Sequence, residues 1–206
     1  MTTSPAAPAP DLGAAAALVS RVAAGVRDDQ LDAPTPCPDY RVRNLLGHLV
    51  GLTAAFRDAA RKDLGPSTST NPGATLPDIT DDWRTALPRH LNELAEAWRE
   101  PGAWDGMTQA GGVTFPAADA GVVALNEVVV HGWDLARATG QDYPADPAAL
   151  EACRAMLAPS ADAAPEDRGP FGPAVAVPAD APLLDRVIAL TGRHPAWPDA
   201  PATAHP

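Results

Sequence analysis

Apolar residues recur at intervals of three and four along most of the chain, and this spacing predicts four long helices. In chain order, these helices are expected from Leu12 to Arg27, from Asp39 to Lys62, from Asp81 or Asp82 to Pro101, and from Pro116 to Gly140. Asp39 is a candidate N-cap, because its side-chain oxygen can accept from a free N–H of the first turn. Pro116 suits a first-turn position. Pro88 falls inside the third helix and predicts a kink or a late start.

The segments between these helices are rich in proline and glycine and predict irregular structure. Residues 34–38, with the sequence Pro-Thr-Pro-Cys-Pro, block any helix, and residues 65–77 are expected to form a loop. Residues 104–114 are expected to be irregular, with a short extended pair around Gly111 and Gly112.

The last quarter of the chain predicts shorter elements. A fifth helix is expected from Asp146, acting as its N-cap, to Leu157, and a last short helix from Pro182 to Leu190. A long surface excursion should connect these two helices, because its residues are mostly Pro, Ala, Gly and Asp. Residues 191–197 are expected to lie on the bundle.

These elements together predict an all-α fold, a four-helix bundle with short additional C-terminal helices and an irregular tail. The 206 residues, 46% of them hydrophobic, fit one domain with a substantial core. We expect residues 1–10 to be a disordered tail and residues 11–206 to be a single domain.

The composition favours small-molecule partners over nucleic acid or membrane. Acidic residues outnumber Lys and Arg by 26 to 15, and the net charge of -11 would repel a phosphate backbone. No stretch offers about 18 uninterrupted apolar residues, and the first ten residues lack the pattern of a signal peptide. The two cysteines, Cys37 and Cys153, have no disulfide or metal-finger spacing, so a cytoplasmic location is expected.

A carboxylate lies in the most apolar part of the chain. Glu127 precedes His131 by four residues within an alanine- and valine-rich run. Residues four apart lie on one face of a helix, so the carboxylate and the imidazole can converge on one point. An unpaired buried carboxylate costs roughly several kcal/mol. The pair therefore indicates a metal site that lacks a third ligand.

His48, in the middle of the second predicted helix, is the best candidate for that third ligand. Gly47 and Gly51 flank it where alanine would favour the helix by about 1 kcal/mol each, which indicates that space around the histidine matters. Two histidines and one carboxylate with an open position describe a catalytic zinc site. The same ligands also suit nickel or ferrous iron, and ligand identity alone does not separate these metals.

Each of these residues also has a simpler interpretation. A mid-helix histidine is more often a core residue than a ligand, and Glu and His four apart often form a plain surface pair. Asp134 follows on the same face and either accepts the second ring N–H of a ligand histidine, lies at a pocket rim, or pairs with Arg137 or another nearby arginine. Cys37 is either a nucleophile activated at a helix N-terminus or a rigid turn residue between prolines.

The remaining candidates are weaker. Trp133 lies beside the predicted ligands and could line a pocket, so Trp133 and Asp134 are the candidate cofactor-binding residues. His90 is expected at the surface, and His194 and His205 in the C-terminal segment. No residue is assigned a catalytic role.

Several stretches of the chain resemble actinobacterial metal-binding proteins of the DinB-like superfamily, related to the metal-binding domain of mycothiol-dependent maleylpyruvate isomerase. The matching stretches are Asp32–Tyr40, Leu45–Gly51, Gly106–Gly112, Asn126–Gln141 and Arg186–Arg193. The resemblance implies a DinB-like four-helix bundle with His48, Glu127 and His131 holding a divalent metal, usually zinc. It also implies a thiol cofactor such as mycothiol, held on the metal as a thiolate.

The resemblance leads to a functional hypothesis with two alternatives. A metal-dependent transferase or isomerase-like protein would use the thiolate to attack an electrophilic substrate. The isomerase carries a further C-terminal domain, and this chain has only about fifty residues after the fifth helix, so a thiol S-transferase is favoured over maleylpyruvate isomerisation. The alternatives are a non-catalytic metal or small-ligand binding protein and a purely structural module. The resemblance also leaves a homodimer open.

Overall fold

The computed structural model describes residues 9–71, 73–164 and 167–199, and its described part is built mainly from helices. The helices are α1 Gly13–Ala24, α2 Val42–Arg61, the single-turn α3 Pro66–Ser69, α4 Trp83–Arg99, α5 Ala117–Thr139, α6 Pro147–Leu157 and α7 Leu183–Leu190. Two short strands, β1 Met107–Ala110 and β2 Val113–Pro116, form one antiparallel hairpin. The predicted all-α class is therefore confirmed. Most of the predicted tail, residues 1–8, lies outside the described residues.

The four long helices form the bundle. Both α1 and α2 pack against α4 and against α5, so α1 and α2 occupy opposite corners. Fully buried leucines and valines from each helix fill the centre, as the spacing of three and four requires. These include Val19 of α1, Leu45 and Leu49 of α2, Leu87, Leu91 and Leu94 of α4, and Leu125 and Val128 of α5.

The N-terminal end of α2 differs from the prediction, and its C-terminal end agrees with it. Arg41, and not Asp39, is the N-cap residue, and its backbone N–H donates to the side-chain oxygen of Asn44 at 3.1 Å. The prediction of Asp39 is wrong because an antiparallel bridge between Pro34 and Arg41 holds the chain extended for two residues more. Lys62 ends the helix in a left-handed conformation, with φ 59°.

Pro88 does not delay the start of α4. The helix begins at Trp83, and Pro88 is its sixth residue, so the predicted late start is wrong. Asp82 is the N-cap residue, but its carboxylate accepts from the hydroxyl of Thr80 at 2.7 Å instead of capping the helix.

The regions flanking α5 follow the sequence closely. The hairpin turns at Gly111 and Gly112, whose φ angles of 60° and 80° favour glycine, and so confirms the predicted extended pair. Pro116 is the residue just before α5 and not within its first turn. Gly140, with φ 69°, ends α5 near the predicted position. The predicted loop of residues 65–77 contains the short helix α3.

The C-terminal elements pack against the bundle through α6. Asp146 caps α6 by accepting from the N–H of Ala149 at 3.0 Å, as predicted, and α7 packs on α6. The excursion between them is held by the buried Arg168, whose guanidinium donates to four backbone carbonyls, those of Ser160, Ala161, Gly172 and Leu190. Among the described helices, none combines the length and apolar character needed to cross a bilayer.

Candidate metal centre

The packing of α2 against α5 brings the three predicted ligands together. His48 comes from the N-terminal half of α2, and Glu127 and His131 come from successive turns of α5. All three side chains are largely shielded, with exposed fractions of 12% for His48, 22% for Glu127 and 11% for His131. One donor atom from each lies within 4.8 Å of the other two.

The two imidazoles face the same carboxylate oxygen. Nε2 of His48 lies 3.5 Å from Oε2 of Glu127, and Nε2 of His131 lies 3.4 Å from that atom. The rings are nearly perpendicular, with centroids 4.9 Å apart. The three donor atoms therefore lie around one common point.

The separation of these atoms fits a bound cation better than direct hydrogen bonds. Charge-assisted N–H···O bonds are normally about 2.7–2.9 Å long. Two donors on a tetrahedral ion, each about 2.0–2.1 Å from the metal, lie roughly 3.3 Å apart. The observed 3.4 and 3.5 Å are close to that edge length. Two neutral imidazoles and a carboxylate are also a donor set that zinc accepts.

The electrostatics of the site tie the protonation of its members together. Burial alone would raise the pKa of Glu127, but the imidazoles of His131 and His48 outweigh burial and hold this pKa well below its ordinary value of 4.5. Burial alone would lower the pKa of His131, but the carboxylates of Asp134 and Glu127 outweigh it and raise this pKa to about 9. Without a cation, a proton on His131 is the charge that balances Glu127.

Asp134 orients His131 from the side away from Glu127. Nδ1 of His131 lies 2.9 Å from Oδ2 of Asp134, whose side chain is 0% exposed. This contact is the one expected if Asp134 accepts the second ring N–H of a ligand histidine. Its complete burial does not favour a place at a pocket rim, so its predicted contact with a cofactor stays a prediction. The arrangement leaves Nε2 of His131 unprotonated when the ring is neutral, which is the form that a metal requires.

The arginine that pairs with Asp134 is Arg193, to which the sequence pattern assigns no role. Its Nε and Nη2 donate to the two oxygens of Asp134 at 2.7 and 2.8 Å. Arg137, the nearest arginine in sequence and a predicted partner, instead donates to the carbonyl of Trp197. No local pattern could identify Arg193, because it lies 59 residues from its partner, beyond an irregular segment.

Cys37 lies at the edge of this cluster. Its Sγ, a ring nitrogen of His131 and a carboxylate oxygen of Asp134 lie within 4.8 Å of one another, so these residues form a second candidate donor set. Burial raises the pKa of the Cys37 thiol to about 11, although Arg193 opposes the rise. The turn interpretation is the better one, since Thr35 accepts from the Cys37 N–H at 3.1 Å and a raised pKa is opposite to activation.

Trp133 is buried in the core, and the described histidines other than His48 and His131 do not belong to either donor set. Trp133 is 3% exposed and belongs to the core, so its predicted contact with a cofactor stays a prediction that this burial does not favour. His90 is half-buried on α4, with Nδ1 3.3 Å from the carbonyl of Val50. His194 accepts from the N–H of Ala196, and His205 lies outside the described residues.

The glycines beside His48 have a different role from the one predicted. A Cβ on Gly47 would lie 2.4–2.9 Å from backbone atoms of Asp78, so this glycine admits the loop before α4. A Cβ on Gly51 would meet nothing within 4 Å. The prediction that both glycines provide space for the histidine is therefore wrong.

The fold and the donor set together define a class, namely helical bundles that carry a two-histidine, one-carboxylate cluster between two helices. Residues 12–136 match the family described as mycothiol maleylpyruvate isomerase N-terminal domain. This match covers more than half of the chain, and the protein belongs to that family.

The chain is also similar to individual proteins and to solved structures. Two uncharacterised proteins of Mycobacterium tuberculosis, from strains CDC 1551 and H37Rv, are each 29% identical over 177 residues, which is 82% of this chain and 88% of theirs. Crystal structures of the mycothiol-dependent maleylpyruvate isomerase and of a histidine-to-alanine mutant superpose with TM-scores of 0.52 and 0.55. At 20% identity over 76% of this chain and 72% of theirs, these structures establish the shared fold.

Proposed function

We propose that the protein is a metal-dependent enzyme that uses a low-molecular-weight thiol such as mycothiol to attack an electrophilic substrate, as a transferase or isomerase-like protein. His48, Glu127 and His131 hold the divalent metal, and zinc is the metal that we propose. The observation that carries the proposal is the convergence of both Nε2 atoms on one oxygen of Glu127, at 3.4 and 3.5 Å.

The donor set explains why a thiol fits this site. Three protein ligands leave one position open on a tetrahedral ion, as in catalytic and not structural zinc sites. A divalent ion there would stabilise a thiol as its thiolate at neutral pH. The cysteine closest to the cluster does not fill this role, because burial raises the pKa of the Cys37 thiol. A thiol from solution is therefore the natural nucleophile.

Membership of the family supports the choice of thiol. The family description and the matching crystal structures both name mycothiol. In a transfer reaction, the thiolate sulfur would form a bond to the electrophilic carbon, and the leaving group would depart with its electron pair. In an isomerisation, the sulfur would add to an activated double bond, and it would leave again after rotation about the resulting single bond.

The residues of the chain have separate tasks in this proposal. His48 and Glu127 supply donors from α2 and α5, so the relative position of these helices determines the shape of the site. His131 is oriented by Asp134 through a 2.9 Å hydrogen bond. The low exposure of all four side chains limits water, which would otherwise weaken every electrostatic interaction at the site.

Binding of mycothiol to the cobalt-substituted protein tests this proposal. Added mycothiol should produce a sulfur-to-cobalt charge-transfer band in the near ultraviolet, while S-methyl mycothiol, which cannot form a thiolate, should not. A cobalt-loaded protein that shows no such band with mycothiol would contradict the thiol role.

Turnover is tested separately with the zinc-loaded protein, mycothiol and two kinds of electrophile, alkyl halides and conjugated cis-alkenes. Metal-dependent loss of thiol with halide release would support a transferase, and metal- and mycothiol-dependent cis-to-trans conversion would support an isomerase. A charge-transfer band without turnover of either electrophile would favour the alternative, a non-catalytic binding protein.

A further inference from the structure

The C-terminal segment reaches the site through a single side chain. Arg193 lies three residues beyond the end of α7, and its guanidinium approaches Asp134 of α5 edge-on, with Nε on Oδ1 and Nη2 on Oδ2. Its side chain is 12% exposed and that of Asp134 is 0% exposed. A two-point contact of this kind fixes the plane of the carboxylate as well as its position.

Fixing that plane has a consequence for His131. The Oδ2 atom that receives Nη2 of Arg193 also receives Nδ1 of His131, at 2.9 Å. If the His131 imidazole were its only partner, the buried Asp134 carboxylate could rotate, and its full negative charge would interact with that imidazole alone. With Arg193 in place, the charge is shared and the direction of the His131 hydrogen bond is set.

We propose that Arg193 is a positioning residue for the metal site, acting on His131 through Asp134. The proposal rests on the function proposed above, in which His131 is a ligand. It means that the four-helix bundle alone is incomplete as a site, since the segment of residues 191–199 supplies one member of the chain Arg193–Asp134–His131. The hydrogen-bond partner of a ligand histidine, here Asp134, commonly contributes about 10- to 100-fold to metal affinity, and Arg193 acts through that partner.

The segment does not depend on Arg193 alone for its own attachment. Arg137 of α5 donates through Nε and Nη2 to the carbonyl of Trp197. Arg168 donates to the carbonyl of Leu190 at the end of α7 and to three other carbonyls of the C-terminal region. Loss of Arg193 should therefore affect Asp134 more than it affects the course of the chain.

Arg168 provides the matched control for the experiment, because it is buried and anchors the same region without contacting Asp134. The variants are Arg193→Gln, Arg193→Lys and Arg168→Gln in the full chain. Zinc affinity is measured by competition with a chromophoric chelator. In the metal-free protein, the hydrogen-bonded ring N–H of His131 is followed by proton NMR, with a His131→Ala spectrum for assignment.

We expect Arg193→Gln to bind zinc about 10- to 100-fold more weakly and to lose or shift the His131 N–H resonance. Arg193→Lys, which retains the charge but not the planar fork, should fall between Arg193→Gln and the wild type. Arg168→Gln should unfold at a lower temperature while keeping zinc affinity within about threefold. Zinc affinity of Arg193→Gln within threefold of wild type, or an equal loss in Arg168→Gln, would overturn the proposal.

The NMR measurement separates this proposal from the function on which it rests. If the wild-type protein bound no zinc, the proposed function would fail. The resonance would still show whether Arg193 positions His131, since it is recorded without metal. A His131 N–H unchanged by Arg193→Gln would contradict the positioning role even if the wild type bound zinc.

Discussion

Two clusters of shielded charged residues lie on α2, and they are built in opposite ways. Near its C-terminal end, Arg57 donates to Glu93 of α4 at 2.6 Å and pairs with Asp58 at 2.7 Å, and Ser67 donates to Asp58 at 2.7 Å. One turn past its middle towards the N-terminus, His48 faces Glu127 at 3.5 Å. The first cluster contains its own cation and closes with short bonds, whereas the second leaves its donors apart.

The comparison shows that burial of charge does not by itself indicate a ligand site. Exposed fractions are similar in both places, 19% for Arg57 and 22% for Glu127. The distinguishing feature is whether the carboxylate already has a permanent cationic partner at hydrogen-bond distance. Arginine always carries its charge, while histidine must be protonated to serve, so only the second cluster gains from a metal.

Exchanging a carboxylate for its amide in each cluster gives the largest expected contrast. Glu127→Gln removes the anionic donor on which both imidazoles converge, so zinc affinity should fall by at least about 100-fold. Chelator competition measures this loss. Glu93→Gln, the same change in the Arg57 cluster, is the control and should leave zinc affinity unchanged. Equal affinity in the two variants would remove the distinction between the clusters.

Acidity should also weaken metal binding strongly. The pKa of His131 is raised to about 9, so at lower pH a proton occupies the site that a metal needs. Zinc affinity should therefore rise about tenfold per unit of pH from about pH 7 and level off near pH 9. An Asp134→Asn variant, which lacks a carboxylate that raises this pKa, should level off at lower pH. A flat profile in the wild type would contradict the role of His131.

The raised pKa of His131 has the opposite effect on the stability of the metal-free protein. This stability should decrease, and not increase, as the pH rises. Because the pKa of folded His131 lies above its ordinary value of 6.5, its contribution is complete below about pH 6.5 and is lost as pH rises towards about 9. The loss should be on the order of 3 kcal/mol at most. Urea unfolding of the chelator-treated protein at several pH values measures it. Unfolding that is independent of pH across this range would show that Glu127 and His131 are not paired in the metal-free protein.

Substitutions in the cluster around Arg57 should change the stability of the protein but not its zinc affinity. Glu93→Gln removes one partner of a partly buried arginine, and should lower the free energy of unfolding by about 1–2 kcal/mol. Thermal and urea unfolding of the metal-free protein check this. Above about pH 9, where His131 has lost its proton, Glu127→Gln should cost less than Glu93→Gln, because the Glu127 carboxylate has then lost its cationic partner. A larger cost for Glu127→Gln at that pH would contradict the distinction between the two clusters.

Replacing Cys37 should have the smallest effect on zinc affinity. It belongs to the alternative donor set with His131 and Asp134, but Arg193 already occupies both oxygens of Asp134. Cys37→Ser should therefore leave zinc affinity within about threefold of wild type by chelator competition. A loss of about 100-fold would identify the alternative set as the site instead.

Elements that depend only on residues close together in the sequence could be predicted from it. The helical spacing, the cap at Asp146 and the turn at Gly111 and Gly112 depend on residues a few positions apart, and the structure has them as expected. The Glu127–His131 pair is also local to α5. The N-cap position of Arg41 was not predictable in this way, because the bridge to Pro34 determines where α2 begins.

The parts of the site that depend on distant contacts were harder to predict. Gly47 faces the backbone of Asp78, more than thirty residues away, and Arg193 reaches Asp134 from 59 residues beyond it. The pairing of His48 with Glu127 also joins two helices, and it was predicted from unusual residue types in apolar surroundings and from the family resemblance. Long-range partners that are ordinary surface residues in sequence, such as Arg193, leave no comparable signal.

The metal content of the protein, purified without a chelating resin, tests the central claim most directly. Elemental mass spectrometry should find about one divalent ion per chain in the wild type and in His90→Ala, a variant of a half-buried histidine on another helix. His48→Ala and His131→Ala should each lose most of it. Full occupancy in either of these two variants, or a wild type that stays metal-free when zinc is supplied, would contradict the assignment.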